Sequence, residues 1–125
     1  GVLMDLTNER ERCPYLSREG WDIPEKDGSG SLFSGAGGLY FTLHREPGVL
    51  KFEGTLTAKK ADTELTIKVS DKFSKTVKFN DAGVQTFELT LPSGLFIADP
   101  AEANYLSLQS NNPIMFKSFK LSHAG

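Results

Sequence analysis

"TELTIKVSDKFSKTVKFNDAGVQTFELTLP", residues 63 to 92, decides the fold class. Leu65, Ile67 and Val69 alternate with Glu64, Thr66 and Lys68. After "DKFS", Val77 and Phe79 alternate with Thr76 and Lys78; after "NDAG", Phe87, Leu89 and Leu91 alternate with Glu88 and Thr90. A strand points successive side chains to opposite faces, so each run carries one apolar and one polar face. That is the pattern of an antiparallel sheet covered on one side and wet on the other. The interruptions are turn chemistry, rich in Asp, Asn, Ser and Gly.

Upstream, "GLYFTLHRE" sets Leu39, Phe41 and Leu43 against Tyr40, Thr42 and His44, and "EPG" makes a turn. "VLKFEGTLTA" sets Leu50, Phe52, Leu56 and Ala58 against Lys51, Glu53, Thr55 and Thr57, and "KKAD" reads as a hairpin connection. Downstream, "NYLSLQS" sets Leu106 and Leu108 against Tyr105, Ser107 and Gln109, and "NNP" reads as a turn. In "PIMFKSFKLS", Ile114 and Phe116 are in phase, but Phe119 and Leu121 have slipped by one residue. A strand with its core on one side needs a correction for such a slip, so a β-bulge is expected near Lys117–Ser118. In "DPAEA", Asp99 as N-cap and Pro100 at the first helical position predict one short helical turn.

The beginning reads differently. "VLMDL" reads as a strand, and "TNERERCPYLSREG" is charged and broken by Pro14. "PEKDGSGSLFSGAGG" reads as a flexible linker or a long surface loop. Its "GAGG" is a loop on this reading, because it lacks the third glycine of a dinucleotide fingerprint and no parallel βαβ unit surrounds it. Seven to nine short strands with frequent turns predict an all-β, two-sheet antiparallel β-sandwich, with a small barrel as the alternative. The predicted core is Phe41, Phe52, Leu56, Leu65, Ile67, Val69, Phe87, Leu89, Leu106 and Leu108.

The chain has 125 residues, enough for a single domain over residues 1–125. Nine phenylalanines point to a core built on Phe, and twelve glycines and six prolines to many turns. A net charge of −2 gives no reason to expect nucleic acid as a partner, and no apolar run approaches bilayer length, so no membrane insertion is expected. Cys13 is the only cysteine, which leaves no internal disulfide. No signal peptide is recognisable; Gly1 fits either a leader removed upstream or a leftover of cloning.

Catalytic chemistry is sparse. Of the two histidines, His123 lies in the tail "SHAG" and reads as disordered, while His44 sits on a polar strand face. No nucleophile-elbow, Cys-His or EF-hand spacing occurs, so neither a metal nor a cofactor is expected. A paired-carboxylate site leaves no local motif and stays open. Aromatics and amides outside the core phase remain. Flat rings stack on the apolar side of a sugar, and amides or guanidinium groups meet its hydroxyls. One candidate set is a loop edge with Tyr15, Arg18, Trp21, Asn111 and Asn112; the alternative is a sheet face with Tyr40, Thr42, His44, Tyr105, Ser107 and Gln109. Arginine, amides and an aromatic edge suit a small polar ligand, which favours the loop edge.

"MDLTNERERCPYLSREGWDI" resembles the opening of many bacterial carbohydrate-binding domains through Asp5-Leu6-Thr7 and Gly20-Trp21, although the usual Asn-Pro segment is missing. "AGVQTFELTLPSG", then "NYLSLQSNN" and the closing "PIMFKSFKLS", are similar in order to the galactose-binding-domain-like jelly roll. The resemblance implies a jelly roll and a non-catalytic carbohydrate-binding module that targets an attached enzyme to polysaccharide. It would be part of a larger bacterial glycan-degrading protein, outside the cell, on its surface or in the periplasm. Partners would be polysaccharide or oligosaccharide and neighbouring domains. Calcium-binding relatives carry an acidic residue near the middle of the last strand, where this chain has Phe116, Lys117 and Ser118, so no calcium is implied. The resemblance also makes Trp21 a partly buried wedge whose N–H reaches a loop carbonyl. Two other functions fit the residues: a structural or protein-interaction sandwich, and a small jelly-roll lyase or hydrolase using Tyr40, His44 and Arg45.

Overall fold

The computed structural model describes residues 2–6, 15–22 and 30–124; Cys13, Pro14 and the run 23–29 lie outside them. The described strands are β1 (Val2–Asp5), β2 (Ser31–Phe41), β3 (Leu50–Ala58), β4 (Thr63–Val69), β5 (Phe73–Phe79), β6 (Gly83–Leu91) and β7 (Asn104–His123). Every pairing between them is antiparallel.

The 20 residues of β7 organise the rest. Its first part pairs with β4 through Ser107–Ser110 and with β2 through Asn104–Ser110. Its second part pairs with β3 from Ile114 to His123 on one edge, and on the other with the start of β2 and then β1. One sheet is therefore β5-β4-β7-β2 and the other β6-β3-β7-β1, sharing β7 and β2 where both cross between layers. Each layer buries one face against the other, which makes the two-sheet sandwich.

The crossing lies at Asn111–Pro113. Opposite these three residues β2 has only Ser34, between the pairs Phe33↔Ile114 and Gly35↔Ser110. "NNP" is thus not a turn: β7 runs through it unbroken. The irregular register removes the need for an N–H at Pro113, and its carbonyl still accepts from the Lys59 N–H at 3.3 Å. The bulge expected near Lys117–Ser118 is present. Thr55 pairs with Ser118 and Leu56 with Phe116, which leaves Lys117 as the extra residue and turns both Phe116 and Phe119 inward.

All ten predicted core residues are buried, none more than 7% exposed. The densest region is aromatic. Phe116 lies 5.0 Å from Phe119 and 6.2 Å from both Phe33 and Phe87 by ring centroid, in tilted or edge-on contacts.

Several sequence expectations are corrected. "GAGG" is strand, not loop, because two backbones close in on it. A Cβ on Gly37 would stand 2.2 Å from the Glu19 carbonyl oxygen, and one on Gly38 2.2 Å from that of Leu106. "KKAD" is not a hairpin, since β3 and β4 belong to different sheets. "DPAEA" makes a β-turn rather than a helical turn. Asp99 accepts from the Ala101 N–H through its side chain at 2.9 Å and from the Glu102 N–H through its carbonyl at 3.1 Å. His123 is not in a disordered tail but ends β7, paired with Leu50.

Candidate functional site

The loop-edge residues are largely committed to structure. Trp21 bridges to Phe33, and its indole N–H donates to the Gly38 carbonyl at 3.1 Å, so the acceptor is a strand carbonyl and not a loop carbonyl. The ring stacks on Phe119, with centroids 5.9 Å apart and planes within 3°, and tilts against Phe33 and Phe116. The half-buried indole wedges over the aromatic core. Asn111 accepts from the Glu64 N–H at 2.8 Å and donates to the Asp62 carbonyl at 3.1 Å. Its amide thereby extends the β4 ladder past Ser110, where β7 leaves that sheet. Asn112 donates to Thr63 Oγ1 at 3.4 Å. Arg18 is exposed, and Tyr15 is half-buried in a cleft at one end of the sandwich.

The sheet-face residues divide. Register puts Tyr40 directly opposite Tyr105, with ring centroids 4.6 Å apart and planes at 37°. They are 46% and 37% exposed, and every other described aromatic is more buried. Beside them run the rows Gly38–Ser107–Lys68–Ser74 and Ala36–Gln109–Thr66–Thr76, all on the outer face of the first sheet. Thr42 and His44 are not part of it, because β2 stops at Phe41.

Composition could not point to Gly38, yet it sets the geometry. The edge atoms of the Tyr105 ring lie 2.8 Å from where a Cβ on Gly38 would be, so the ring rests over bare backbone. The Gly38 N–H donates to Ser17 Oγ at 2.9 Å, and Ser17 Oγ donates to the Glu19 carbonyl at 2.7 Å. At the opposite end of the ring pair, Asn104 pins the loop before β7: it accepts from the Ile97 N–H at 2.8 Å and donates to the Ile97 carbonyl at 3.0 Å.

Burial pushes the Tyr105 phenol above its ordinary range; Tyr40 and the Glu19 charge push the same way, and a hydrogen bond with Ser17 opposes them. Unfolded, the phenol ionises near its ordinary value of about 10, while the folded protein still holds the proton. The folded state then binds more protons than the unfolded one, so stability falls as pH rises above that value. An ultraviolet titration should show a late phase, above the ordinary phenol range, and Tyr105→Phe should remove it. A late phase that survives the substitution would contradict this assignment.

Elsewhere the residues suggested for an enzyme are apart. His44 and Arg45 line the end cleft of about 610 Å³ with Tyr15, whereas Tyr40 does not line it. On the outer face of the second sheet, a groove of about 460 Å³ sets Glu53 opposite Glu88. Glu53 is held by Lys120 at 3.4 Å and Lys51 at 3.6 Å. Among the described residues no three of His, Cys, Asp and Glu gather as metal ligands would.

No protein-family model matches the chain, and no curated protein matches it by sequence. Solved structures do. A carbohydrate-binding module of lichenase 5A from Cellvibrio mixtus, solved with cellotriose, superposes with a TM-score of 0.59 at 10% identity, both chains covered in full. The fold is the jelly roll of carbohydrate-binding modules. The C-terminal module of the marine laminarinase LamC from Zobellia galactanivorans superposes with a TM-score of 0.55 at 11% identity, over 86% of this chain and 92% of that one. All of this chain also matches part of BtGH115A, a 4-O-methyl-α-glucuronidase with specificity for decorated arabinogalactans, with a TM-score of 0.66 at 8% identity; it spans 18% of that enzyme. Such identities establish the jelly roll and leave the site to this chain's own side chains.

Proposed function

We propose that this domain is a non-catalytic carbohydrate-binding module whose ligand lies on the Tyr40–Tyr105 pair. The observation that carries the reading is the exposure of these two rings, side by side, on a sheet face whose adjoining rows present hydroxyls, an amide and Lys68. Rings of this kind cover the C–H side of a sugar, while Ser107, Gln109 and Thr66 meet hydroxyls along the rows. The other exposed large apolar residues, Val49, Val84 and Ile97, come from three separate segments, which favours sugar over a protein interface. The jelly roll shared with modules solved with cellotriose and cellobiose supports the same reading.

In this proposal the module belongs to a larger bacterial glycan-active protein that works outside the cell or in the periplasm. Its contribution is to raise the effective concentration of the attached enzyme at the polysaccharide. The match to part of a glucuronidase supports that setting.

A polysaccharide array followed by calorimetric titration tests the site. Tyr40→Ala and Tyr105→Ala should each weaken binding at least tenfold, about 1.4 kcal/mol, while Asn112→Ala binds as the parent does. A blank array, or loss of binding with Asn112→Ala alone, refutes the assignment.

A further inference from the structure

The cleft at one end of the sandwich is lined by residues of both layers, and neither ring of the exposed pair lines it. Phe41 closes β2 in the first sheet, Leu3 and Met4 belong to β1 in the second, and His123 ends β7. The connection between β2 and β3 supplies Thr42, Leu43, His44, Arg45 and Pro47 to it. The floor is apolar, made by Leu3, Met4, Phe41 and Leu43. Its walls carry Tyr15, Thr42, His44, Arg45 and His123. The chain has two histidines, and both are here. Although the chain carries 16 acidic residues and a net charge of −2, none of the described residues lining this cleft is Asp or Glu. Glu46, next to Arg45, is exposed and does not line it.

We propose that this cleft is a second binding site, for a sugar that carries a carboxylate: a uronic acid. The volume of about 610 Å³ suits one or two rings. Arg45, in a lining whose described residues include no acid, supplies a guanidinium fork that matches a carboxylate, and the His44 imidazole adds an N–H donor. The rest of the ligand must also be amphipathic. A purely aliphatic acid would cover the polar groups of Thr42 and His44 with nothing to bond them, whereas a pyranose sets hydroxyls against them and its C–H side against the apolar lining. The proposal stands apart from the ring-pair site and does not need it.

The test is a backbone amide NMR titration of the folded domain with sodium glucuronate. Methyl glucoside is the neutral control, and sodium acetate the small anion. Glucuronate should give saturable shifts at Thr42, Leu43, His44, Arg45 and His123. The glucoside should give none there, and acetate should bind at least tenfold more weakly. Arg45→Gln should weaken glucuronate binding at least fivefold without changing the melting temperature, since Arg45 is exposed. The Tyr40→Ala/Tyr105→Ala double variant should leave glucuronate binding unchanged, which separates the two sites. The proposal is overturned by no saturable shift up to about 50 mM, a range that would still detect affinities far weaker than millimolar. It is equally overturned by acetate or methyl glucoside binding as well as glucuronate, or by Arg45→Gln binding as the parent does.

Discussion

Phe116→Ala should lower the unfolding free energy by about 3–5 kcal/mol, the largest loss of any single truncation in the core. Phe116 is fully buried and touches four other rings: Trp21, Phe33, Phe87 and Phe119. Phe33 comes from β2, Phe87 from β6, Phe119 from β7 itself, and Trp21 from the segment that bridges to Phe33. Backbone pairing fixes all of them, so the cavity left by the phenyl group cannot collapse fully, and the cavity cost adds to the lost burial. Phe116 also sits immediately before the extra residue Lys117, where the strand can least shift to compensate. For a domain whose total stability lies in the usual range of about 5–15 kcal/mol, this is a large fraction. The melting temperature should fall by roughly 10–20 °C in a thermal scan followed by circular dichroism. A fall of only a degree or two would mean that the aromatic cluster is not the centre of the core.

The slip between Phe116 and Phe119 was itself visible in the sequence, and its reason is instructive. Alternation has period two, so an odd spacing between two apolar residues that must both face inward forces an extra residue. The same logic made the one-sided burial of Leu65, Ile67 and Val69 legible, together with the outward phase of Tyr40 and Tyr105. Partner choice was not legible. "DKFS" does join a hairpin, with Val69 paired to Phe73, while "KKAD" and "NDAG" carry the chain from one sheet to the other. Locally all three have similar turn residues, and what separates them is which distant strand lies alongside. "NNP" misled for the same reason. Proline argues for a break unless the partner strand has lost register there, and that depends on Ser34, far away in the chain. The candidate site inherits this limit. Each tyrosine could be placed on a polar face, but their contact follows from the register of β2 on β7, which no local pattern specifies. Asn111 was legible as an amide near a break, yet its two bonds to the β4 backbone arise only because two strands part there.

Gly38→Ala should damage both the fold and the site, because one backbone position serves each. Inward along the sheet, the added methyl group would stand 2.2 Å from the Leu106 carbonyl oxygen, which is backbone and cannot rotate away. Strands β2 and β7 would have to separate at the pairs Gly38↔Ser107 and Leu39↔Leu106, straining Leu39 and Leu106, both fully buried. Overpacking of this kind costs about 1–3 kcal/mol or more. Three further bonds depend on this residue. Its N–H donates to Ser17 Oγ, and its carbonyl accepts from both the Trp21 indole and the Ser17 N–H. Toward solvent, the same methyl group meets the edge of the Tyr105 ring at 2.8 Å and must lift it from the sheet. The expected outcome is a domain destabilised by about 3 kcal/mol that still folds at low temperature but binds its glycan at least tenfold more weakly there. The Ser17→Ala variant is the control: it removes the hydroxyl's bonds to the Gly38 N–H, the Glu19 carbonyl and Tyr105, each worth about 1 kcal/mol, but adds no methyl group beneath the Tyr105 ring. If Gly38→Ala binds as tightly as the parent under conditions where it is fully folded, the flat seat of Tyr105 on the strand is not what makes the platform, and the ring pair must recognise its ligand in some other orientation.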